Sequence, residues 1–535
     1  MLPHRPSLKP WADSPFDVIV IGGGINGAGI ARDAALRGFR VALFEQADFA
    51  SGTSSRSSKL IHGGIRYLEQ GRLALVFESS RERHILLKIA PHLVHPLPFL
   101  FPVYRETRWG KLGLNIGMWL YDLLSLFRNI RRHRMLNRRE TLRLEPDLLP
   151  EGLLGAALYY DGQMDDARLC LANILEAREM GAAVRNYARV TGLLKEEGGR
   201  IIGVKIRDRI DREEETILGR VVVNAAGVWA DDVRRMESPD AFPEVRKTRG
   251  SHLILPAMTR HALVIRSEKD RRVLFVIPWQ GMSLVGTTDV DFSGDLSDVH
   301  CTPEDQNYIL AETRRYFPKR AITPAQVIAT FAGLRPLADS AESDPSAVSR
   351  EERIEQSASG LISVMGGKFT TYRKIAEEVV DKIARRLPDV RAGRCATTSR
   401  PLRGGDFENL KAYIQEKTPE LCRDDSLEPA QAAHLITAYG TRHTDVLDLV
   451  RENQTVGERL HPALPHLKAE VLYAVREELA VTLSDVLRRR TTIALGPYRT
   501  DERLLENALN LMAAELEWSP REIEGQRRDY LREIL

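Results

Sequence analysis

Two unbroken apolar runs stand close together near the start of the chain, Phe16-Asp17-Val18-Ile19-Val20-Ile21 and Arg40-Val41-Ala42-Leu43-Phe44. Short runs with little polar alternation predict strands covered on both faces, as in a parallel sheet. An Ala/Arg segment of helical character lies between them, so the pattern reads strand, helix, strand. Further β-rich runs follow at Arg220-Val221-Val222-Val223-Asn224, Arg272-Val273-Leu274-Phe275-Val276-Ile277 and Leu361-Ile362-Ser363-Val364-Met365. Strand and helix signals mix in this way to about Arg386. Past a linker near Cys395 to Gly405 the period changes. Ala430 to Tyr439, Lys468 to Arg490 and Glu502 to Leu516 carry apolar residues at three- and four-residue spacing, which predicts helices. Ser519-Pro520-Arg521-Glu522 opens a last helix with a capping box and proline at the first helical position.

Composition narrows the class. At 535 residues the chain is too long for one ordinary domain. Its 77 basic and 74 acidic residues nearly cancel, so no global field argues for a nucleic-acid partner. Cys170, Cys301, Cys395 and Cys422 lie far apart with no CxxC pair, which gives no metal framework and suits a reducing compartment. Met1 to Pro15 reads as a polar, proline-bearing tail without the apolar stretch of a signal peptide. The longest hydrophobic stretch, around Leu112 to Phe127, contains Asn115 and Asp122 and falls short of a membrane span. The expectation is a cytoplasmic or membrane-surface protein.

The turn between the first strand and its helix carries Gly22, Gly24 and Gly27 in a G-x-G-x-x-G pattern. In that context the first glycine permits the tight turn, the second admits a pyrophosphate to the backbone, and the third lets helix and strand pack closely. Ala31 and Ala35 continue a small-residue face on the helix. Glu45 ends the second strand, where a carboxylate accepts hydrogen bonds from a ribose. These features predict a dinucleotide site but do not choose between NAD and FAD. The continuation does favour one. Ala47 to Ser58 is a Gly/Ser/Thr-rich loop in place of further strand–helix units, and it offers N–H groups and hydroxyls to a long, extended cofactor, which points to FAD.

A flavin oxidoreductase must hold a donor carbon against the flavin ring and take the proton from its hydroxyl; a phosphate-ester substrate adds a demand for arginine and lysine anchors. Candidates in Gly-flanked, loop-like settings are His62 and Arg66, His252, Arg335 and Lys368. Spacing does not show that they converge.

Together these segments resemble the FAD-dependent glycerol-3-phosphate dehydrogenases of the bacterial aerobic type, flavoproteins similar to D-amino-acid oxidase. The resemblance rests on Ile21 to Ile30, Ser57 to Leu68, Asp165 to Leu169, Asn224-Ala225-Ala226-Gly227, Gly250-Ser251-His252, Val276-Ile277-Pro278-Trp279, Val285 to Asp289, Gly333 to Leu337 and Gly366 to Lys374, and more weakly on Asp485 to Thr491. It implies an α/β fold: a Rossmann-like FAD-binding domain, an antiparallel-sheet substrate domain and an all-helical C-terminal domain. The expected boundaries are a tail over 1–15; a discontinuous FAD-binding domain over 16–90, 165–245 and 340–386; a substrate domain over 91–164 and 246–339; a linker over 387–405; and the helical domain over 406–535.

The resemblance further implies non-covalent FAD held by Gly22, Gly24, Gly27, Glu45, Thr53, Ser54, Ser58, Leu60, His62, Gly63, Gly64, Ala226, Gly227, Gly366, Gly367, Lys368 and Thr370. Substrate would be bound by Arg66, Tyr67, Arg335, Arg350 and Lys368, with His252, Lys368 and Arg335 as the catalytic set and the general base left open between His252 and Lys368. The implied reaction takes sn-glycerol 3-phosphate to dihydroxyacetone phosphate and passes electrons to ubiquinone or menaquinone at the inner face of the cell membrane. Two positions depart from the pattern: Ala226 stands where similar proteins often have threonine, and Arg56 interrupts a run of small residues. Trp109 to Arg143, apolar and then arginine-rich, is a candidate membrane-contact segment. The alternatives are a glycerol-3-phosphate oxidase using oxygen, or another FAD-dependent amine or amino-acid oxidoreductase. A homodimer is left open.

Overall fold

The computed structural model describes residues 5, 7–64, 68, 71–106, 110–125, 129–338 and 352–535. Among these residues the strands form two sheets. The first runs in the order Glu352–Gln356, Ile362–Gly366, Glu214–Asn224, Phe16–Ile21, Val41–Phe44, Ala183–Arg185. All neighbours are parallel except the antiparallel Glu352–Gln356 edge. The hairpin of Ala188–Lys195 and Ile201–Asp208 pairs onto the outer end of Glu214–Asn224. The unbroken apolar runs are thus the central strands, as burial on both faces requires. Helices Ile25–Leu36, Asp166–Glu179 and Tyr372–Arg386 share one core with that sheet through Val18, Val20, Ala28, Ala31, Ile174, Tyr372 and Ala376.

The second sheet is largely antiparallel. Its spine is the long pair Val94–Tyr104 and Leu153–Met164, in register from Val94↔Met164 to Val103↔Gly155. Ala262–Arg266 joins Val94–Tyr104 in parallel, and Val273–Trp279, Met282–Gly286, Val245–Pro256 and Ala329–Ala338 extend the sheet antiparallel. Leu60–Ile61, which follows the Gly/Ser/Thr loop, pairs with Gly162 and Gln163 and so ties the cofactor-side loop to this sheet. One face carries Phe99, Phe101, Tyr159 and Ile277 with Met118 and Tyr121 of helix Gly110–Leu124. The other packs Leu253, Leu263 and Val285 on Ile309 and Leu310 of helix Pro303–Tyr316.

The C-terminal domain is helical, with Leu410–Asp424, Pro429–Tyr439, His443–Glu452, Lys468–Arg476, Glu502–Leu516 and Pro520–Ile534 around its own apolar clusters. The capping box on Ser519 is present, with Glu522 N–H donating to Ser519 Oγ and Ser519 N–H to Glu522 Oε2. One element differs from its sequence pattern. Lys468 to Arg490 is not a single helix: it stops at Arg476, Leu479 takes a left-handed φ of 58°, and Asp485–Arg490 forms a separate turn. Polar demands explain the break. Glu478 is drawn onto Arg168, at 2.7 Å, and the Asp485 carboxylate accepts the N–H groups of Val481 and Thr482 at 2.8 and 2.9 Å, starting the new turn.

This domain is seated on the body by buried ions. Asp48, on the loop just after Glu45, accepts from Arg489 Nε at 2.5 Å and from both terminal nitrogens of Arg490 at 2.8 and 3.0 Å. Burial opposes ionisation of Asp48, but Arg490 and Arg489 overcome it and hold its carboxyl well below the usual range. Arg168 makes a two-pronged contact with Glu478, donates to the Ala438 carbonyl at 2.9 Å and lies 4.3 Å from the centre of the Tyr439 ring.

Candidate active site

The carboxyl end of the parallel sheet opens into a cavity of about 610 Å3 that continues onto the second sheet. At the first turn Gly22 has φ +111°, and a Cβ there would lie 2.6 Å from the Ala225 carbonyl oxygen. A Cβ on Gly27 would lie only 1.9 Å from the Gly22 carbonyl oxygen, so this glycine sets how closely helix Ile25–Leu36 approaches its strand. Gly27 does not line the cavity, whereas Gly22 and Gly24 do. With Gly24 as N-cap, the helix turns its N–H end towards the space beside the turn, an anion-binding geometry.

Glu45 has a second task that spacing alone does not reveal. Its carboxylate accepts the Gly23 N–H at 2.7 Å and the Ala47 N–H at 2.9 Å, bracing the glycine turn from below. Burial pushes this carboxyl up, against those two hydrogen bonds. Each oxygen retains further acceptor capacity, and Glu45 lines the cavity, so a diol fits there too.

The Gly/Ser/Thr loop then runs along the cavity. Thr53 Oγ1 donates to the Leu334 carbonyl at 2.6 Å, and Ser54 Oγ accepts the Ile25 N–H at 2.9 Å. Thr53, Ser54, Ser58, Leu60, His62 and Gly64 all line the wall, joined by Ala226, Gly227, Gly366, Gly367, Lys368 and Thr370 from the ends of two further strands. Gly63 does not. Its N–H donates to Asp161 at 3.1 Å, and a Cβ there would strike Tyr121 Oη at 2.1 Å, which makes it a packing position against helix Gly110–Leu124. Arg66, Tyr67 and Arg350 lie outside the described residues.

His252, Arg335 and Lys368 line the same cavity although they come from three strand regions. His252 stacks on Phe331 at 4.8 Å between ring centres, and its Nε2 shares a 2.8 Å hydrogen bond with Ser58 Oγ. Its pKa is pushed down to about 3, first by burial and then by Arg335 and Lys59, so the imidazole is neutral. Arg335 is oriented by Asp289 at 3.0 Å, Thr287 Oγ1 at 2.9 Å and the Thr288 carbonyl at 3.1 Å. Lys368 Nζ donates to Ser79 Oγ at 3.3 Å. Sequence reasoning passed over Lys59. It adopts a left-handed φ of 56° and forms a buried ion pair with Asp166 at 2.5 Å, but nothing in its Ser-rich surroundings signals either property. The cavity therefore joins a glycine-turn helix end at one extremity to a cationic, imidazole-bearing pocket at the other. That shape fits an extended dinucleotide reaching from the first sheet to the second.

Comparison with known proteins agrees. Residues 17–382 match the family model described as FAD dependent oxidoreductase. The chain belongs to that family. In this FAD-dependent oxidoreductase, residues 395–523 also match a model described as the C-terminal domain of alpha-glycerophosphate oxidase. A relative from Synechocystis sp., named glycerol-3-phosphate dehydrogenase, is 40% identical over 500 residues, covering 90% of each chain. One from Staphylococcus aureus, named aerobic glycerol-3-phosphate dehydrogenase, is 34% identical over 526 residues, covering 97% of this chain and 94% of its own. The crystal structure of the Bacillus halodurans glycerol-3-phosphate dehydrogenase complexed with FAD is similar over 98% of this chain and 96% of its own, at 32% identity and a TM-score of 0.82.

Proposed function

We propose that the protein oxidises sn-glycerol 3-phosphate to dihydroxyacetone phosphate and passes the electrons to a membrane quinone. The carrying observation is one cavity that combines a dinucleotide-binding turn with His252, Arg335 and Lys368, in a chain whose full-length relatives are named for this dehydrogenase. FAD supplies the hydride acceptor for carbon 2. Arg335, fixed by Asp289, presents a rigid guanidinium to the phosphate, and Lys368 adds a second cation. Burial first, and then Arg335 and Lys59, make His252 a poor base as it stands. A phosphate dianion beside Arg335 offsets part of that charge, raises the imidazole's basicity and favours its taking the hydroxyl proton. His252 and Lys368 are the two candidates for that role.

The acceptor reading rests on helix Gly110–Leu124. Leu112, Ile116, Leu123 and Trp119 are 73%, 61%, 55% and 50% exposed, and Leu120 joins them on one face, while Met118, Tyr121 and Asp122 point inward. The helix thus turns an apolar stripe to solvent. Exposed Arg131, Arg132, Arg134, Arg138 and Arg139 follow it. A stripe of that kind beside basic residues suits an anionic lipid surface, and the cytoplasmic face of the cell membrane provides one. Among the described residues no helix is long and apolar enough to cross a membrane. Gly113, Leu114, Gly117 and Leu120 of the same helix line the apolar end of the cavity with Phe99, Phe101, Val264 and Phe275, giving a quinone a greasy route from the bilayer.

Anaerobic bleaching of the bound flavin by glycerol 3-phosphate tests the reaction, and reoxidation by a quinone analogue compared with oxygen tests the acceptor. Rapid bleaching and faster reoxidation by quinone are expected; an unbleached flavin overturns the substrate, and preferential reoxidation by oxygen overturns the acceptor. Undiminished bleaching in both His252→Ala and Lys368→Ala removes them as the base. For the membrane, flotation with anionic vesicles should be salt-sensitive. Leu112→Ser with Leu123→Ser should weaken it about a hundredfold, from about 1.5 kcal/mol lost per leucine. Equal flotation of that variant, or of one with the five arginines neutralised, defeats the docking surface.

A further inference from the structure

The helical C-terminal domain holds a cluster that plays no part in the flavin cavity. His434 lies on helix Pro429–Tyr439, His466 just ahead of helix Lys468–Arg476, and Glu470 in that helix's first turn. Their ligand atoms all lie within 4.8 Å of one another. His434 Nε2 is 2.9 Å from Glu470 Oε2, and the two imidazole centres are 4.1 Å apart at 54°. Glu470 is 1% exposed and His466 9%.

The state of His466 separates this cluster from an ordinary buried ion pair. His434 and Glu470 satisfy each other, but His466 Nδ1 is buried with no hydrogen-bond partner among the described residues. A buried ring nitrogen left unpaired costs free energy, and native proteins pair such atoms with protein, water or an ion.

We infer that His434, His466 and Glu470 form a binding site for a zinc-like divalent ion. Two imidazoles and one carboxylate match the borderline character of Zn2+ and leave one position of a tetrahedron for water. Ligand atoms around such an ion stand about 3.4 Å apart, given bonds near 2.1 Å, so the three groups draw inward slightly on binding. The outer partners are in place. Tyr439 Oη donates to Glu470 Oε2 at 3.1 Å, and the Leu467 N–H donates to Oε1 at 2.7 Å, fixing the carboxylate from two sides. His434, with its side chain 18% exposed, gives the ion its way in. An ion held there clips helix Pro429–Tyr439 to the start of helix Lys468–Arg476. The first of these helices ends in Ala438 and Tyr439, which hold Arg168, so metal occupancy stiffens the seat of the domain on the flavin body.

The test uses full-length, FAD-loaded protein stripped with EDTA and titrated with Zn2+ against a chromophoric chelator. One equivalent should bind at micromolar concentration or below and raise the melting temperature. His434→Ala should weaken binding at least about a hundredfold and abolish the thermal shift; Tyr439→Phe should weaken it about tenfold, since it frees the carboxylate without removing a ligand. Cobalt offers a reading that needs no variant: a stoichiometric Co2+ complex should show the intense visible bands of a four-coordinate ion. Absence of those bands in wild type, or equal zinc affinity in a folded His434→Ala, overturns the site. Flavin bleaching by glycerol 3-phosphate is read on the same samples and does not depend on the result.

Discussion

Protein carrying alanine at Gly27 is expected to purify colourless. The added Cβ would sit 1.9 Å from the Gly22 carbonyl oxygen and 3.1 Å from its carbon, and both are backbone atoms that no rotamer change can move aside. The helix must back away from the strand. Its N–H end then leaves the position fixed by the Ser54 hydroxyl on the Ile25 N–H, and the phosphate-facing donors lose their aim. Each charge-assisted hydrogen bond is worth about 1.5–3 kcal/mol. Loss of two therefore weakens FAD binding by about 3–6 kcal/mol, at least about a hundredfold. Flavin absorbance per polypeptide measures the effect, with far-ultraviolet circular dichroism to establish that the chain folds. A full complement of flavin in Gly27→Ala would contradict the close approach described here.

Asp48→Ala is expected to loosen the whole C-terminal domain. The carboxylate is fully buried between Arg489 and Arg490 and also accepts from Asn186 Nδ2 at 3.0 Å. Among the described residues its removal leaves buried Arg490 with only Glu478 and Arg489 with only Asp485, and breaking a buried pair in this way costs about 3–5 kcal/mol. Because Asp48 follows Glu45 so closely, the loop that braces the glycine turn loosens with it, and FAD should dissociate faster as well as the protein melting lower. A double-mutant cycle with Arg490→Met isolates the pair, since the second change should cost much less once the carboxylate is gone. A destabilisation below about 1 kcal/mol in Asp48→Ala would mean that the interface does not depend on this contact.

The fold class was legible in the chain because it depends on local pattern. Unbroken apolar runs mark doubly covered strands, and three glycines with an acidic residue at the next strand's end mark a dinucleotide turn. The geometry around His252, Arg335 and Lys368 was not legible, because it is made by pairing at a distance. His252 meets Phe331 across one register and Gly286 across another, while Lys368 enters from the opposite sheet. Nor could spacing show that Gly63 faces Tyr121 rather than the cavity, since either role demands the same small residue. The break at Leu479 was hidden for a related reason. The segment Lys468 to Arg490 keeps its helical period, and the pull of Arg168 on Glu478 together with the turn started by Asp485 interrupts it.

The contact between Asp48 and Arg490 joins groups 442 positions apart. At translation rates of about 5–20 residues per second, roughly 20–90 s separate the synthesis of one from that of the other. Throughout that interval a nascent chain holds its glycine turn but lacks the arginines that will close over the neighbouring loop. The parallel pairing of Asn224 with Ser363 is delayed in the same way. Asp48 thus meets its arginine partners only once the far end of the chain has been made, and truncation ahead of Arg489 is expected to loosen the same loop as Asp48→Ala.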